Sequence, residues 1–284
     1  MSVRIGVFDS GLGGLSVLHD ALQMLPGASF IYYADQDHVP YGEKTDDELR
    51  GYVRGSLSFL IDAGVDAIVI ACNTATTVAT KEFRSTLPVP VVGMEPAVKL
   101  AIDSGMGAIG RILVAATPVT VAGDKLHVLL GHVDLAHEVD LVALPGLVRF
   151  AERGVFESPE VLGYLAGEFG ALDLGAYSAI VLGCTHFDYF RVAIRSCFGE
   201  PPRFFNGNAG TIRQLVRKLR ASGLSCGLEE GIGPLGLSDG VGFHERVTCY
   251  SSGRLLDGRQ MALVSRCMEQ LDRVGRLCRT EAVR

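Results

Sequence analysis

Two short stretches share one pattern that constrains the fold of this chain more than any other feature. Residues 68–77 read IVIACNTATT and residues 180–187 read IVLGCTHF. In each, a β-branched apolar run leads to a small residue, a cysteine and a polar turn. Such a run is typical of a strand buried in a parallel sheet, and open α/β sheets keep their reactive groups where these strands end. The pattern predicts two buried strands that deliver Cys72 and Cys184, each where a helix begins.

The order of strands and helices indicates an α/β chain in two parts. With 284 residues, the chain exceeds most single cores and suits two α/β units of about 100 to 150 residues each. Residues 3–72 alternate strand and helix, which is typical of a doubly wound, mostly parallel sheet. The stretch RILVAATPVTVAG at 111–123 opens a second part in the same way. We predict two domains of similar topology that face each other across a cleft.

Capping residues predict several helix ends. Thr45 and Glu48 form a capping box at the start of a helix over 46–63, and Ser158 caps another that runs to 169. One unbroken helix is expected over 74–87. The last predictions are a glycine-dense loop at 222–242, an edge strand in RVTCYSSG at 246–253 and a closing helix at 256–279.

Charge and hydropathy exclude some partners. The net charge is −6, and Lys and Arg are scattered, so no basic field is available for a nucleic acid. The first residues contain no signal-peptide core, and no segment approaches the roughly 20 apolar residues that span a bilayer. We expect a cytoplasmic protein that binds neither nucleic acid nor membrane.

The cysteines are expected to remain thiols. The chain has seven, an odd number, and none lies in a CxxC pair, as fits a reducing compartment. Apart from the two at the strand ends, they are interpreted as small packed residues: Cys197, Cys226, Cys249, Cys267 and Cys278.

No cofactor or metal site is expected. The segment DSGLGG at 9–14 and the acidic Asp35 resemble a dinucleotide fingerprint, but Ser16 occupies the third glycine position. Asp9 and Ser10 also lie at the strand tip, where a carboxylate would repel a pyrophosphate. Three histidines recur every five residues, a spacing that does not bring them together on a helix or a strand: His127, His132 and His137.

Two thiols at strand ends suit one reaction in particular. Inverting a stereocentre by proton transfer needs a base on one side of a carbon and an acid on the other. A thiol has a reference pKa near 8.5, and a helix N-terminus lowers it. Cys72 and Cys184 could therefore serve as one thiolate and one thiol, with exchanged roles in the reverse direction.

At these residues the chain resembles the glutamate racemases of the cofactor-independent aspartate/glutamate racemase superfamily. The resemblance covers nearly the whole chain and rests on motifs in the family's order: FDSGLGGLSV, YYADQDHVPYG, ACNTATT, VVGMEPAVK, ATPVT, AERG and LGCTHF. The chain departs from the family in two places. One is Asp37 and His38, where many relatives have less polar residues, and the other is the loop at 222–242.

The resemblance implies roles for individual residues. Cys72 and Cys184 would be the catalytic acid/bases, with Asp9 assisting Cys72 and His186 assisting Cys184. Substrate contacts, besides those of Asp9 and His186, would come from Ser10, Tyr41, Gly42, Asn73, Thr74 and Thr185, and supporting roles would fall to Asp35 and Glu152. It implies interconversion of L- and D-glutamate, supply of D-glutamate for peptidoglycan, no cofactor, and a homodimer. It also implies a first domain of residues 1–98 completed by 208–284, and a second of 99–207.

Other interpretations stay open on the residues alone. The chain could be an aspartate racemase, because a one-methylene difference is worth only about 1 to 3 kcal/mol in a pocket. It could be a cysteine hydrolase with His186 as base, or a non-catalytic amino-acid binding module in which the thiols only pack. His186 could instead be an ordinary residue at a helix start, and Asp35 could merely cap a turn.

Overall fold

The computed structural model describes residues 2–94, 97–134, 136–224 and 243–282. The chain divides into two compact units, one of Met1–Met94 with Asn208–Ala262 and one of Glu95–Gly207 with Leu263–Arg284. The strands within the described ranges are β1 (Arg4–Asp9), β2 (Ser29–Ala34), β3 (Ala67–Ile70), β4 (Val91–Gly93), β5 (Arg111–Ala116), β6 (Val139–Ala143), β7 (Tyr177–Leu182), β8 (Arg203–Phe205), β9 (Val247–Ser251) and β10 (Arg254–Leu255).

The α-helices of the same ranges are α1 (Leu15–Met24), α2 (Asp46–Asp62), α3 (Asn73–Val78), α4 (Lys81–Ser85), α5 (Val98–Asp103), α6 (Pro118–Ala122), α7 (Asp124–Val133), α8 (Pro145–Glu152), α9 (Pro159–Phe169), α10 (Arg191–Arg195), α11 (Asn208–Ala221), α12 (Phe243–Arg246) and α13 (Gly258–Ala282). Short 3-10 helices cover Tyr41–Glu43, Leu174–Ala176 and Thr185–Phe190. None of the helices in the part of the chain that the structure describes is long and apolar enough to cross a bilayer.

The first unit contains a six-stranded sheet in the order β10-β9-β2-β1-β3-β4. All its pairings are parallel except that of β10 with β9. The predicted edge strand was wrong: β9 lies between β2 and β10, because the two-residue turn at Ser252 and Gly253 folds Arg254 back onto Ser251. The predicted parallel sheet is confirmed.

The core of this unit explains the position of its helices. β1 and β3 are buried on both faces, as their continuous apolar sequences require. Helix α2 begins at the predicted capping box, in which Thr45 and Glu48 exchange hydrogen bonds. From there α2 buries Leu49, Val53 and Leu57 in one hydrophobic cluster with the sheet.

The second unit contains a four-stranded, fully parallel sheet in the order β6-β5-β7-β8. Its core joins Ile112 and Val114 of β5 to Ala179 and Val181 of β7. The predicted cap is present here too: Ser158 Oγ accepts a hydrogen bond from the Val161 N–H, and Pro159 occupies the first turn of α9.

The compact units differ from the predicted domain boundaries at the C-terminus, since Leu263–Arg284 belongs to the second unit. The side-chain amide of Gln270 donates hydrogen bonds to the carbonyl oxygen of Tyr189 at 2.9 Å and to Glu157 at 3.1 Å. The face of α13 that carries Val264, Cys267, Leu271 and Val274 is buried. The sequence of an amphipathic helix shows which of its faces is apolar. It does not show which unit that face packs against.

Some predictions fall outside the described residues. These are most of the loop at 222–242, with Cys226, and residues 95 and 96 at the end of the VVGMEP motif. The helix predicted over 74–87 is wrong in one respect: α3 ends at Val78, and α4 restarts at Lys81. Thr80 Oγ1 caps the second helix by accepting a hydrogen bond from the Phe83 N–H, so a hydroxyl residue interrupts the helix it was expected to continue.

Candidate active site

In the first unit, three polar residues meet at one edge of the sheet. β1 ends at Asp9, β2 is followed by Asp35, and Cys72 follows β3 after one residue. Asp9 pairs in register with Ala34, and Phe8 with Ile70. The carboxyl ends of these adjacent parallel strands therefore bring the three side chains to the same edge of the sheet, where the sequence predicted the reactive groups.

The Cys72 thiol is buried and held by local polar groups. The residue is 6% exposed. Its Sγ lies 3.7 Å from Ser10 Oγ and accepts a hydrogen bond from the Ala75 N–H at 3.4 Å. Asn73 begins α3, and its buried Oδ1 has no hydrogen-bond partner among the described residues. Thr74 is buried beside it, so a thiol and an amide oxygen are presented together.

Asp9 is placed by the glycines that follow it. The carboxylate is fully buried, and its Oδ1 accepts a hydrogen bond from the Gly11 N–H at 3.0 Å. A Cβ at Gly14 would lie 2.5 Å from Asp9 Cβ, which no side chain tolerates. Gly14 therefore lets the start of α1 approach the carboxylate, which is a different role from cradling a nucleotide phosphate.

Tyr41 links Asp35 electrostatically to the thiol. Its hydroxyl donates a hydrogen bond to Asp35 Oδ2 at 2.6 Å, and the side chain is buried. Burial raises the pKa of Tyr41 most, and the hydrogen bond and charge of Asp35 and the charges of Cys72 and Asp9 add to the rise. The phenol therefore stays neutral and remains a hydrogen-bond donor, and it is close enough to Cys72 for the charge of the sulfur to affect its pKa. Gly42, half-buried, follows in the same 3-10 turn.

In the second unit, a chain of three side chains starts at Cys184. Its Sγ lies 3.7 Å from His186 Nδ1, and His186 Nε2 lies 2.6 Å from Glu152 Oε1. Cys184 is 7% exposed and His186 is 2% exposed. Glu152 closes α8, and the other two follow β7. A sulfur, an imidazole and a carboxylate are thus connected in that order.

The pKa of His186 is raised well above its usual value. Burial on its own lowers this pKa, but the hydrogen bonds and charges of Cys184 and Glu152 outweigh burial. The imidazolium is therefore favoured between the sulfur and the carboxylate, where a positive charge stabilises a thiolate.

The helix expected to begin at Cys184 is a 3-10 helix, Thr185–Phe190, and α10 starts only at Arg191. A single 3-10 segment has less aligned backbone than an α-helix. His186, whose Nδ1 lies 3.7 Å from Sγ, is therefore the positively charged partner that the structure shows beside Cys184. Thr185 is buried at the same strand end.

The structure thus brings the predicted residues together in two groups, each within one unit. The first group is Asp9, Ser10, Asp35, Tyr41, Gly42, Cys72, Asn73 and Thr74; the second is Glu152, Cys184, Thr185 and His186. Sequence reasoning missed Ser252, whose Oγ contacts Asp35, and Thr117, which lies buried after β5, the neighbour of β7. Thr117 could have been found from its position after a strand in the ATPVT motif.

Three of the other cysteines are packed, as the sequence predicted. Cys249 and Cys267 are buried, and burial raises the pKa of each to about 12. Cys197 is half-buried, and burial raises its pKa as well. The side chains of Cys226 and Cys278 lie outside the described residues. Across the described ranges, no cluster of His, Cys, Asp and Glu has the arrangement of a metal site.

Comparison with known proteins identifies the family. The profile described as Asp/Glu/Hydantoin racemase matches residues 15–215, and a glutamate racemase of Campylobacter curvus is 43% identical over 96% of this chain and 98% of its own. The chain belongs to the Asp/Glu/hydantoin racemase family.

Solved structures of this family share the fold. A glutamate racemase from Thermus thermophilus, in complex with β-chloro-D-alanine, superposes with a TM-score of 0.67 at 29% identity and 93% coverage of both chains. The Escherichia coli glutamate racemase, in complex with L-glutamate and the activator UDP-MurNAc-Ala, gives a TM-score of 0.71 at 25% identity, with 95% of this chain and 93% of that chain covered. The α/β class predicted from the sequence is confirmed.

Proposed function

We propose that this family member interconverts L- and D-glutamate by proton transfer at Cα, with Cys72 and Cys184 as the two acid/bases. One thiolate removes the Cα proton, and the electron pair left on carbon is delocalised into the substrate carboxylate. The other thiol delivers its own proton to the opposite face of the carbon. In the reverse direction the two sulfurs exchange roles, so the reaction needs no cofactor or metal.

The neighbouring groups have different tasks. His186, held by Glu152, assists Cys184, and Asp9 assists Cys72. Ser10, Tyr41 and Gly42 bind the substrate, together with Asn73, Thr74 and Thr185, and Asp35 supports Tyr41. Because a free thiol is only a few per cent ionised at neutral pH, these partners decide how much thiolate is present.

Two buried thiols with polar contacts, one within each unit, support the proposal: Cys72 beside Ser10 and Cys184 beside His186, in a member of a racemase family. The mechanism requires both sulfurs to reach opposite faces of one Cα. Racemisation in heavy water tests it: deuterium is expected in the product enantiomer before it appears in recovered substrate.

Substitution of each thiol completes the test. Cys72→Ala and Cys184→Ala are each expected to lower racemisation by more than about 1,000-fold, since neither sulfur replaces the other. Normal racemisation by either variant would contradict the two-base mechanism.

The geometry of Cys184, His186 and Glu152 also matches the nucleophile, the base and the carboxylate that orients the base in a cysteine hydrolase. That function needs Cys184 but not Cys72. Ester or amide hydrolysis that survives Cys72→Ala, without racemisation by the parent chain, would support it.

The choice of glutamate rests on the relatives, which are named for glutamate. An aspartate racemase is the alternative, and polarimetry with both amino acids distinguishes them. We further propose that the protein is a cytoplasmic homodimer that supplies D-glutamate for peptidoglycan. Light scattering of the purified chain tests the dimer, and cell fractionation tests the location.

A further inference from the structure

A strained residue outside the family motifs contacts a buried carboxylate of the first unit. Ser252 has φ of +44°, in the left-handed region, and Gly253 follows with φ of +81°. Two consecutive positive φ values suit the tight turn between β9 and β10. Gly, Asn and Asp occupy such positions readily, whereas serine does so at a cost. Strain of this kind, once observed, is a reason to look for function.

Ser252 uses both its backbone and its hydroxyl. Its N–H donates a hydrogen bond to the carbonyl of Ala34 at 2.8 Å. Its Oγ accepts one from the Asp37 N–H and donates one to Asp35 Oδ1, both at 3.0 Å. The turn is therefore fastened to the end of β2 and to the segment that leads to Tyr41.

Asp35 receives two further donors. Tyr41 donates its hydroxyl to Oδ2 at 2.6 Å, and His38 Nδ1 lies 2.9 Å from both carboxylate oxygens. The His38 ring stacks on Tyr52 with ring centroids 3.8 Å apart. Three side chains thus fix the orientation of one carboxylate that is 3% exposed, and that carboxylate fixes the Tyr41 hydroxyl.

We propose that Ser252 is a positioning residue that orients Tyr41 for substrate through the Asp35 carboxylate, with His38 as the second group that holds this carboxylate. The proposal rests on the proposed function, because it assigns Tyr41 to substrate binding. Partners that orient the ligands of metal sites change activity by about 10- to 100-fold when they are removed, and we expect the lower end of that range for a partner of one substrate-binding hydroxyl.

Ser252→Gly separates a functional role from a structural one. Glycine relieves the backbone strain, which offsets part of the stability lost with the two hydrogen bonds of the hydroxyl, so the melting temperature is expected to change by only a few degrees. The kcat/KM for glutamate is expected to fall about tenfold, mostly through KM, because Tyr41 binds less well when its acceptor is misoriented. Arg254→Ala is the control. Arg254 lies in the same hairpin as Ser252, and its replacement removes only an exposed ion pair with Asp37, so kcat/KM should stay unchanged.

His38 supplies an independent check. His38→Asn keeps an N–H donor near the position of Nδ1 and should retain activity within about twofold, whereas His38→Ala should lose about as much as Ser252→Gly. The double variant Ser252→Gly/His38→Ala should lose less than the product of the two effects, because both groups act on one carboxylate.

The outcomes are distinguishable. If the parent chain racemises glutamate and Ser252→Gly keeps the parental kcat/KM, the positioning role is wrong while the proposed function stands. If the parent chain racemises neither glutamate nor aspartate, the proposed function fails first. If Ser252→Gly melts before the assay temperature is reached, the loss of kcat/KM reflects unfolding, and the positioning role is wrong because the turn is then structural.

Discussion

Among single residues, the contact between His186 and Glu152 helps to keep the His186 imidazole protonated. The imidazole is fully buried, and its pKa is raised by Cys184 and Glu152 against the effect of burial. Since the folded-state pKa lies above the unfolded value of about 6.5, this pair stabilises the fold fully below about pH 6.5. The contribution disappears as the pH rises through the folded-state pKa.

Glu152→Gln tests whether the His186–Glu152 pair stabilises the fold at low pH and ceases to do so at high pH. We expect the free energy of unfolding, from urea titrations, to fall by about 2 kcal/mol between about pH 5 and 6.5, the size of a hydrogen bond between charged groups. The deficit should shrink at higher pH, where the parent His186 also loses its proton. The matched control Glu160→Gln removes an exposed ion pair with Arg153 and should change the free energy by less than about 0.5 kcal/mol. A deficit that grows with pH would contradict the raised pKa.

Gly14 offers a second test at this scale. In Gly14→Ala the new Cβ must displace the Asp9 side chain, so we expect a stability loss of about 1 to 3 kcal/mol. The kcat/KM for racemisation should fall about 10- to 100-fold, as for a group misplaced by an ångström. Gly51→Ala is the control: it adds a Cβ to α2 with nothing within 4 Å and should stabilise the protein by about 1 kcal/mol with unchanged activity. Equal activity of the two variants would show that Asp9 does not need its observed position.

At the scale of elements, helix starts are where sequence and structure agree best. The capping box of α2 is present as predicted, with Thr45 N–H donating to Glu48 Oε2 at 2.9 Å. Thr45→Ala should lower the free energy of unfolding by about 1 kcal/mol, and Thr45→Ser should restore most of it. Both variants should keep kcat/KM within about twofold, because Thr45 is exposed and contacts none of the candidate site residues through the capping hydrogen bonds. Urea titrations and initial-rate assays measure the two effects.

Caps and strand ends were predictable because their signals are local. A few neighbouring residues are enough to predict the caps at Thr45 and Ser158 and the strands before Cys72 and Cys184. The break between α3 and α4 was missed because a hydroxyl inside a helical pattern, Thr80, can continue the helix or cap the next one. Whether a cysteine begins an α-helix or a 3-10 helix depends on packing, and the sequence after Cys184 does not decide it.

At the scale of the whole molecule, partners far apart in the sequence were not predictable. β9 pairs with β2 although more than 200 residues separate Phe30 from Val247, and this pairing delivers Ser252 to Asp35. In the same way, Glu152 reaches His186 from a different helix. The resemblance predicted a supporting role for Glu152, but only the folded structure shows that it contacts His186. The local sequence pattern was therefore enough to locate the two strand-end thiols. The residues that contact Asp35 and His186 come from distant parts of the chain, and only the tertiary structure shows them.

The thiols of the described chain should differ in reactivity, and the difference follows from burial and neighbours. A raised pKa keeps Cys249 and Cys267 protonated at neutral pH, and only thiolates react quickly with alkylating agents. Cys184 instead contacts a histidine whose protonated form is favoured. Iodoacetamide at pH 7.5 should therefore inactivate the native protein while it labels Cys184 or Cys72, and leave Cys249 and Cys267 unlabelled.

Mass spectrometry of peptides checks this pattern in three samples. Native protein should carry label at the strand-end thiols, glutamate should slow both labelling and inactivation, and protein in urea should be labelled at Cys249 and Cys267 as well. Glutamate protects only if the labelled sulfur lies where substrate binds, so protection ties reactivity to function. Inactivation that tracks labelling of Cys249 or Cys267, with the strand-end thiols unmodified, would mean that the activity depends on other sulfurs than those assigned to it.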